Sequence, residues 1–325
     1  MGRQAEPDPA ALATAAVSTR HLGLAVVAAA LIAAVAAHGA PRKDDPFKRG
    51  VLGRRAYRLY VPPRPAAEPR TLVVALHGCW QTPEDFAKAT RLNEAAERRG
   101  LLVLYPAQSR WDNASRCWNW FDPANQSRAA GEIAELLALV QTVVGEQAAA
   151  PGRAIALGFS AGGFMAVNLL CAAPELVAAV AVVAGGPYRC GLGLDGALEC
   201  MRGLRLDGAA SAAACQAAAG RRTLAVRASL WQGDQDTVVA PANLRALETM
   251  FARLVGTESR STETRDGAMR VLLRDGRGDP LIEAWLVPGL GHAWSGGDPR
   301  ATHTWPPGPN ATDLILDFLL EPRVK

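Results

Sequence analysis

One serine of this chain stands between two strongly apolar segments, in the motif GFSAG. The preceding segment, AIALGF, is typical of a buried strand, and the following segment, GGFMAVNLL, is typical of a buried helix. So tight a turn between a strand and a helix brings backbone atoms close together, and the residues around Ser160 must therefore be small. Gly158, Ala161, Gly162 and Gly163 meet that requirement. The motif predicts a strand-turn-helix unit with the Ser160 hydroxyl at its tip.

Short apolar runs alternate along the chain with longer stretches of helical periodicity. This alternation indicates an α/β fold with a mostly parallel central sheet and helices on both faces. Residues 71–76, 101–105 and 177–184 are compact runs rich in Val, Leu and Ala, as expected of strands buried on both faces. Residues 82–99 are predicted to form one helix, and a hairpin is predicted within residues 270–287.

The start of the chain contains an almost purely apolar, Ala-rich stretch at residues 22–37, which follows Arg20. Small residues and the charged sequence RKDD come next, and this order is typical of a secretory signal peptide. We predict a signal peptide over residues 1–39 and a linker over residues 40–49. The stretch is short for a membrane span of about 20 residues, although an uncleaved anchor is the alternative. The mature protein is expected to be secreted, extracellular or periplasmic, with no stable membrane insertion.

Residues 50–325 are expected to form one catalytic domain, since 49% hydrophobic and 20% charged residues suit a single large core. Residues 187–223 interrupt the alternation and are predicted to be a small, partly helical, cysteine-containing insertion after the sixth strand, over the site. The six cysteines contain no CxxC pair, which argues against a zinc site. An even number suggests disulfides in an oxidising compartment, with a connectivity that the sequence leaves open. For Cys171, a small buried hydrophobic role is the alternative.

The charge balance excludes some partners. The formal net charge is +4, and no run of basic residues occurs, so a nucleic-acid partner is not expected. No motif for a metal or a nucleotide cofactor is present either. We therefore expect neither a metal nor a cofactor, and the sequence does not indicate the oligomeric state.

A serine hydroxyl becomes a useful nucleophile only when a base removes its proton, so a histidine must lie within hydrogen-bond reach. His21 and His38 fall in the predicted signal peptide, and His77 follows the strand on the oxyanion side. Of the remaining two, His292 follows the last predicted strand, where the histidine of a Ser-Asp/Glu-His order is expected. His303 lies in a Pro-rich segment and is interpreted as a surface or cleft-lining residue.

The acidic partner of the histidine should end a strand between the serine and the histidine. Asp234 and Asp236, in the sequence LWQGDQDTVV, are the candidates. The acidic residue has to hold the correct imidazole tautomer and to stabilise the imidazolium. We assign this task to Asp236, which a G-x-x-D turn places at the outer tip of the loop, and interpret Asp234 as a turn-forming residue.

Two backbone N–H groups are needed to stabilise the negative oxygen of a tetrahedral intermediate. Ala161, directly after the nucleophile, should supply the first. The second should come from the loop after the strand TLVVAL, where Cys79 is the candidate.

Tryptophans are concentrated in these loops. Trp80, Trp120 and Trp294 are predicted to contact a hydrophobic, aromatic or sugar part of a substrate, with Trp294 the preferred candidate. Trp118 lies in the same loops. Ordinary loop packing is the alternative for each of them.

Six segments share an order that resembles the polyhydroxybutyrate depolymerase family of esterases, which adjoins the feruloyl and acetylxylan esterases. The resemblance covers roughly residues 50–321, and its motifs are LHGCWQTPEDF, LVLYPAQ, CWNWFDP, GFSAGGFMA, WQGDQDTVVAPAN and GLGHAWSGG. It implies an α/β-hydrolase fold and a catalytic triad that maps onto Ser160, Asp236 and His292. It also implies that Cys79 supplies an oxyanion N–H and is disulfide-bonded to Cys117. The three cysteines of the insertion are not a recognised family feature.

The resemblance implies hydrolysis of short-chain 3-hydroxyalkanoate ester bonds through an acyl-serine intermediate. A feruloyl or acetylxylan-type esterase is the main alternative, and a hydrolase-fold protein that binds ligands without catalysis is another. Enzymes that degrade crystalline polymer are expected to carry an appended binding domain. None is recognised in this sequence, so soluble oligomers or amorphous polymer are the expected substrates.

Overall fold

The computed structural model of the protein describes residues 1–2, 45–63 and 69–321. Apart from its first two residues, the signal peptide predicted over residues 1–39 lies outside this part of the chain. All the elements given below belong to the compact unit Phe47–Lys325. Within the described residues, no helix is both long enough and apolar enough to cross a membrane.

Ten strands of the described chain form one sheet, in the order β1-β2-β4-β3-β5-β6-β7-β10-β9-β8. The neighbours from β4 to β10 are parallel, whereas β1 and β2 at one edge and β8 and β9 at the other pair antiparallel. The prediction of a mostly parallel sheet is therefore confirmed. The strands are β1 Phe47–Leu52, β2 Arg55–Tyr60, β3 Leu72–Leu76, β4 Leu102–Pro106, β5 Ala154–Phe159, β6 Val177–Val183, β7 Arg227–Gly233, β8 Ser259–Arg265, β9 Ala268–Arg274 and β10 Pro280–Val287, with a separate parallel pair β11 Trp294–Ser295 and β12 Thr304–Trp305.

Helices cover both faces of the sheet, as the sequence predicted. Those on one face are mainly α3, α4, α6 and α7, and those on the other are α1, α2 and α8. The helices are α1 Pro83–Thr90, α2 Leu92–Arg99, α3 Gly131–Glu146, α4 Ala161–Ala172, α5 Gly193–Met201, α6 Gly208–Ala219, α7 Ala242–Val255 and α8 Ala311–Leu320, with a short 3₁₀ turn at Pro123–Gln126.

Strand β3 illustrates how the sheet separates two cores. Successive side chains of a strand point to opposite faces. Leu72, Val74 and Leu76 accordingly pack into one core, and Val73 and Ala75 pack into the other. A strand buried on both faces needs an unbroken apolar run, which is why the sequence TLVVAL was sufficient to predict it.

The single helix predicted over residues 82–99 is wrong, because the chain breaks at Arg91. This residue has a left-handed conformation with φ of 54°, and it separates α1 from α2. The Thr90 hydroxyl donates to the Phe86 carbonyl at 2.7 Å and lies 3.3 Å from the Leu92 backbone nitrogen, so it serves both helix ends. A side chain that bonds the backbone on both sides offers an alternative to continuous helix, which apolar periodicity does not reveal.

Two strands differ from the sequence prediction. Strand β1 begins at Phe47, so the last residues of the predicted linker over 40–49 pair with β2 at an edge of the sheet. Strand β8 was missed altogether, since all residues of its sequence SRSTETR are exposed. It exists because its backbone pairs with β9 along its whole length. No alternation of apolar and polar residues marks an edge strand of this kind.

The insertion predicted over residues 187–223 contains α5 and α6, which confirms a partly helical, cysteine-containing insertion after the sixth strand. The disulfide Cys190–Cys200 closes its first part, and Cys215 of α6 is joined to Cys171. Cys171 is thus not merely a small buried hydrophobe. The Met201 carbonyl at the end of α5 accepts from the Ala240 N–H at 2.7 Å, which places α5 beside the loop that follows β7.

We expect loss of the Cys171–Cys215 disulfide to lower the free energy of unfolding without changing catalysis. The bond spans 44 residues, and the loop-entropy relation gives a loss of about 4 kcal/mol for the double Cys171→Ala, Cys215→Ala variant. Cys171 lies near the end of α4, about 16 Å along the helix axis from Ser160. Urea unfolding and the kcat for p-nitrophenyl butyrate at 25 °C are the measurements.

The matched control removes Cys190–Cys200, which spans only 10 residues and should cost about 3 kcal/mol on the same relation. A larger loss in this control than in the Cys171–Cys215 variant would contradict the loop-length argument.

Candidate active site

The turn between β5 and α4 has the geometry that its small residues allow. Ser160 has φ of 54° and ψ of −124°, a conformation that is strained for a residue with a side chain. A Cβ atom on Gly158 would lie 2.0 Å from the Gly162 carbonyl oxygen, and one on Gly162 would lie 2.0 Å from the Leu76 carbonyl oxygen. Backbone therefore occupies the space on both sides, and only glycine fits at either position. The Ser160 N–H donates to the Val183 carbonyl at 2.9 Å, which ties the turn to β6.

The structure brings Ser160, His292 and Asp236 into one hydrogen-bonded line. His292 Nε2 lies 2.9 Å from Ser160 Oγ, and His292 Nδ1 lies 2.8 Å from Asp236 Oδ2. A carboxylate can only accept here, so Nδ1 carries the proton and Nε2 is free to accept the hydroxyl proton of Ser160. The arrangement can take a proton from the serine and return it to a leaving group.

The sheet explains why Asp236 and His292 meet. Strands β7 and β10 are parallel neighbours, and Gly233 pairs with Val287 at their carboxyl ends. The two loops that follow these strands begin at the same edge of the sheet, and each carries one of the two side chains. The nucleophile candidate follows β5 at that same edge.

The Asp236 carboxylate is buried and surrounded by donors. Its Oδ1 accepts from the N–H groups of Val238 and Val239 at 2.9 and 2.8 Å, and its Oδ2 accepts from Gln232 Nε2 at 3.0 Å. Three donors besides the imidazole compensate for the loss of water around a buried carboxylate. Gln232, on β7, is a supporting residue that the sequence analysis did not identify, because nothing in a buried strand sequence marks an orienting amide.

Asp234 has a different role from Asp236. It is exposed, and its Oδ1 accepts from the Gly289 N–H at 2.7 Å. This bond links the loop after β7 to the loop after β10. Asp234 thus shapes the turn that holds both candidate residues, whereas Asp236 is the aspartate bonded to His292.

The predicted oxyanion donors, the N–H groups of Cys79 and Ala161, lie on two chain segments that pack against each other. Gly78 packs against the ring of Phe159, where an added Cβ would be 2.7 Å from a ring carbon, and the disulfide Cys79–Cys117 holds the same loop. Within residues 45–63 and 69–321, no backbone or side-chain acceptor takes the N–H of either Cys79 or Ala161. The Ala161 N–H is free because it belongs to the first turn of α4. Two backbone donors without an acceptor, one of them directly after Ser160 in the chain, have the chemistry to hold a developing negative oxygen.

His77 and His303 lie near this site. Burial lowers the pKa of His77 to about 4, so its ring is neutral at physiological pH. Burial is also the main reason that the pKa of His303 is lowered, and the charge of His292 adds to the effect. His303 is an exposed residue, and its ring centroid lies 5.9 Å from that of Phe159, which covers part of the ring. His292 packs against the same Phe159 ring, and His292 is the histidine bonded to Ser160.

The tryptophan predictions need correction. Trp294 is buried, with its ring edge against Phe86 and its Nε1–H donating to the Thr312 hydroxyl at 3.0 Å. It therefore belongs to the core, and a substrate contact is the wrong interpretation. Trp120 is also buried, stacked on Phe164 with ring centroids 3.9 Å apart. Of the three tryptophans predicted to contact a substrate, Trp80 is the one that is exposed, with 64% of its surface accessible.

Trp118 is buried as well, and its Nε1–H donates to the His77 carbonyl at 3.1 Å. An indole is a large apolar group with one hydrogen-bond donor. The rings of Trp118, Trp120 and Trp294 each pack in the interior and each have an acceptor or an aromatic partner there. Position in a motif loop could not distinguish such a ring from an exposed one. Among the described residues, no cluster of three His, Cys, Asp or Glu side chains is arranged to hold a metal ion.

Known proteins resemble this chain in sequence and in structure. Poly(3-hydroxyalkanoate) depolymerase C of Paucimonas lemoignei is 31% identical over 225 residues, which cover 68% of this chain and 54% of that protein. The chain thus spans about half the length of this relative. Feruloyl esterase B of Neurospora crassa is 28% identical over 245 residues, which cover 72% of this chain and 81% of that protein.

A solved structure, the acetyl xylan esterase from Aspergillus awamori, matches with a TM-score of 0.67 at 20% identity, over 76% of this chain and 93% of that chain. The likeness shows a shared fold, and the predicted α/β-hydrolase fold is confirmed. The family model described as Esterase PHB depolymerase matches residues 55–275, well over half of the sequence. By this match the chain belongs to the Esterase PHB depolymerase family.

Proposed function

We propose that this chain is a secreted serine esterase that hydrolyses short-chain 3-hydroxyalkanoate esters, with 3-hydroxybutyrate units as the preferred acyl group. The observation that carries the proposal is the hydrogen-bonded line from Ser160 through His292 to Asp236. The N–H groups of Cys79 and Ala161, which have no acceptor among the described residues, support it. These groups have the chemistry that acyl transfer from an ester requires.

The reaction proceeds in two halves. Ser160 Oγ attacks the ester carbonyl carbon while His292 Nε2 takes the hydroxyl proton, and the Cys79 and Ala161 N–H groups hold the oxyanion. The carbon–oxygen bond to the alcohol then breaks, and the alcohol leaves with the proton from His292. In the second half, His292 takes a proton from water, and the resulting hydroxide attacks the acyl-Ser160 ester. When that intermediate collapses, the bond from the acyl carbon to Ser160 Oγ breaks and Oγ takes the proton back from His292, which releases the hydroxy acid and restores both residues.

Exposed apolar side chains on the loop after Asp236 and on the insertion support an uncharged polyester as the substrate. Val238, two residues after Asp236, is 44% exposed, and Leu194 on α5 is 64% exposed. Leu198 and Leu204 of the insertion are exposed too. Exposed apolar side chains can contribute to a ligand-binding surface. A polyester chain buries such surface without needing charged contacts, and Trp80 offers a further apolar surface.

Secretion is part of the proposal. Three disulfides, Cys79–Cys117, Cys171–Cys215 and Cys190–Cys200, suit an oxidising compartment. The apolar stretch at residues 22–37 suits a signal peptide. N-terminal sequencing of the protein exported by its host should find a start near residue 40, and a start at Met1 would contradict the proposal.

A feruloyl or acetylxylan esterase is the second candidate function. The match with feruloyl esterase B of Neurospora crassa covers 81% of that protein, whereas the match with depolymerase C covers 54% of its length. The two functions share the same reacting groups and differ only in the side chains around them. A choice between them therefore rests on the substrate and not on the mechanism.

A substrate panel separates the two candidates. We expect kcat/KM for 3-hydroxybutyrate dimers and trimers to exceed that for methyl ferulate by at least about tenfold, a difference of about 1.4 kcal/mol in transition-state binding. The panel measures released acid for both substrates and for acetylated xylan, with the Ser160→Ala variant as the blank. Turnover of methyl ferulate alone would overturn the polyester proposal and leave the serine esterase function intact. Clearing of an amorphous polymer film would extend the substrate class beyond oligomers.

A further inference from the structure

The peptide bond between Gly78 and Cys79 links the predicted oxyanion donor to a buried histidine. In a trans peptide the carbonyl and the N–H point in opposite directions from the same plane. Whatever holds the Gly78 carbonyl therefore also sets the direction of the Cys79 N–H. The Gly78 carbonyl oxygen lies 2.8 Å from Nδ1 of His77, whose ring is completely buried.

The tautomer of His77 follows from its other contact. The backbone N–H of Gln108 donates to Nε2 of His77 at 3.1 Å, so Nε2 must present a lone pair. In a neutral ring the proton is then on Nδ1, and Nδ1–H donates to the Gly78 carbonyl. An imidazolium would set two donors against each other at Nε2, and the low pKa of His77 agrees with a neutral ring.

We propose that His77 is a positioning residue of the oxyanion hole, which turns the Gly78–Cys79 peptide so that the Cys79 N–H faces the carbonyl attacked by Ser160. It touches neither the substrate nor the reacting atoms, and it acts through the peptide alone. The inference rests on the esterase function proposed above. It goes beyond that function by assigning a role to a histidine that the proton-transfer chemistry does not use.

The surroundings of His77 make this orientation rigid. Trp118 packs against the ring, and its indole N–H donates to the His77 carbonyl at 3.1 Å. The Gly78 N–H donates to Gln81 Oε1 at 2.9 Å, so both peptides that meet at Gly78 are held. The Gln81 N–H also approaches the Gly78 carbonyl, at 3.4 Å, which is long for such a bond. His77 is thus the closer of the two donors to this oxygen.

Two nearly isosteric substitutions separate the bond from mere packing. His77→Asn places an amide nitrogen where Nδ1 stands and can still donate to the Gly78 carbonyl, whereas His77→Leu cannot. Both lose the acceptor for the Gln108 N–H, so their difference isolates the bond to Gly78. Val140→Ala, on the buried face of α3, serves as a control that lowers stability without changing this loop.

We expect His77→Leu to lower kcat for p-nitrophenyl butyrate by about 10- to 100-fold, less than the loss of a whole oxyanion donor, with KM changed less than about threefold. His77→Asn should recover at least about tenfold of that loss. Val140→Ala should keep the kcat of the wild type. A His77→Leu enzyme within about threefold of wild-type kcat, or equal kcat values for the two His77 variants, would overturn the inference.

A measurement on the wild-type protein keeps the inference testable if the variants do not fold. Long-range ¹H–¹⁵N correlation spectra of histidine-labelled protein report which ring nitrogen carries the proton, with assignment by His292→Gln and His303→Gln. An Nδ1–H tautomer for His77 is expected, and an Nε2–H tautomer or an imidazolium at pH 7 would overturn the inference. If wild type shows no turnover that depends on Ser160, the proposed esterase function fails, while this spectrum still decides the orientation of the peptide.

Discussion

Replacing Ser160 with alanine is expected to lower kcat for p-nitrophenyl butyrate by about 10⁴- to 10⁶-fold, with the protein still folded. The substitution removes only the hydroxyl that would carry the acyl group. Because the residue stands at the tip of the turn between β5 and α4, alanine keeps the backbone and the flanking glycines in place. The free N–H groups of Cys79 and Ala161 also remain, so a small residual rate by direct attack of water is expected.

The matched control is Ser211→Ala, which removes the hydroxyl of another buried serine, on α6 in the insertion. It should keep kcat within about twofold of the wild type, since the Ser211 hydroxyl is not part of the hydrogen-bonded line of Ser160, His292 and Asp236. Retention of more than about 1% of wild-type activity by Ser160→Ala would show that another group is the nucleophile. Equal inactivity of the wild type and Ser160→Ala would instead favour a protein that binds ligands without catalysis.

Asp236→Asn should have the second-largest effect, a loss of about 10⁴-fold in kcat, through the tautomer of His292. Oδ1 of Asp236 accepts from the N–H groups of Val238 and Val239, so an asparagine oxygen must occupy that position. Its NH₂ group is then forced to the Oδ2 position, where it faces Nδ1 of His292. A donor there drives the imidazole proton to Nε2, and Nε2 can no longer accept the proton of Ser160.

Asp234→Asn is the matched control for this prediction, because it makes the same chemical change two residues away. Its contact is the Gly289 N–H, and an asparagine oxygen accepts that bond equally well. We expect kcat within about threefold of the wild type. Stopped-flow or steady-state rates of both variants decide between the two aspartates. A larger loss for Asp234→Asn than for Asp236→Asn would reverse the assignment made from the sequence.

The part of the site that the sequence predicted is the part that local chain geometry determines. Glycines around Ser160 and the order of serine, aspartate and histidine along the chain were enough to select Asp236 and His292. The structure places these side chains within hydrogen-bond distance of one another. Parallel strands that end at one edge of a sheet bring their following loops together, so their positions along the chain determine their proximity.

Some of the predictions that failed depend on contacts between distant segments. Trp294 is buried because α8 covers it and Thr312 accepts its indole proton, neither of which a motif loop reveals. The exposed strand β8 forms only because β9 offers it a partner. The helix break at Arg91 has a local cause, because the Thr90 hydroxyl bonds the backbone on both sides of it. For Trp294 and β8, tertiary structure determines the outcome, and apolar periodicity along the chain does not reveal it.

The close approach of Gly162 to the Leu76 carbonyl, and of Gly158 to Gly162, has a consequence for evolution and for library design. A methyl group at either position would force β3, β5 and α4 apart, and with them the two loops that carry the oxyanion donors. Such a variant would lose activity in a screen just as a variant without the nucleophile does, although it keeps every reactive group. Loss of activity on substitution of Gly158 or Gly162 would therefore reflect the close spacing of the backbones and not a role in the reaction. Saturation libraries aimed at new substrates should leave both glycines unchanged.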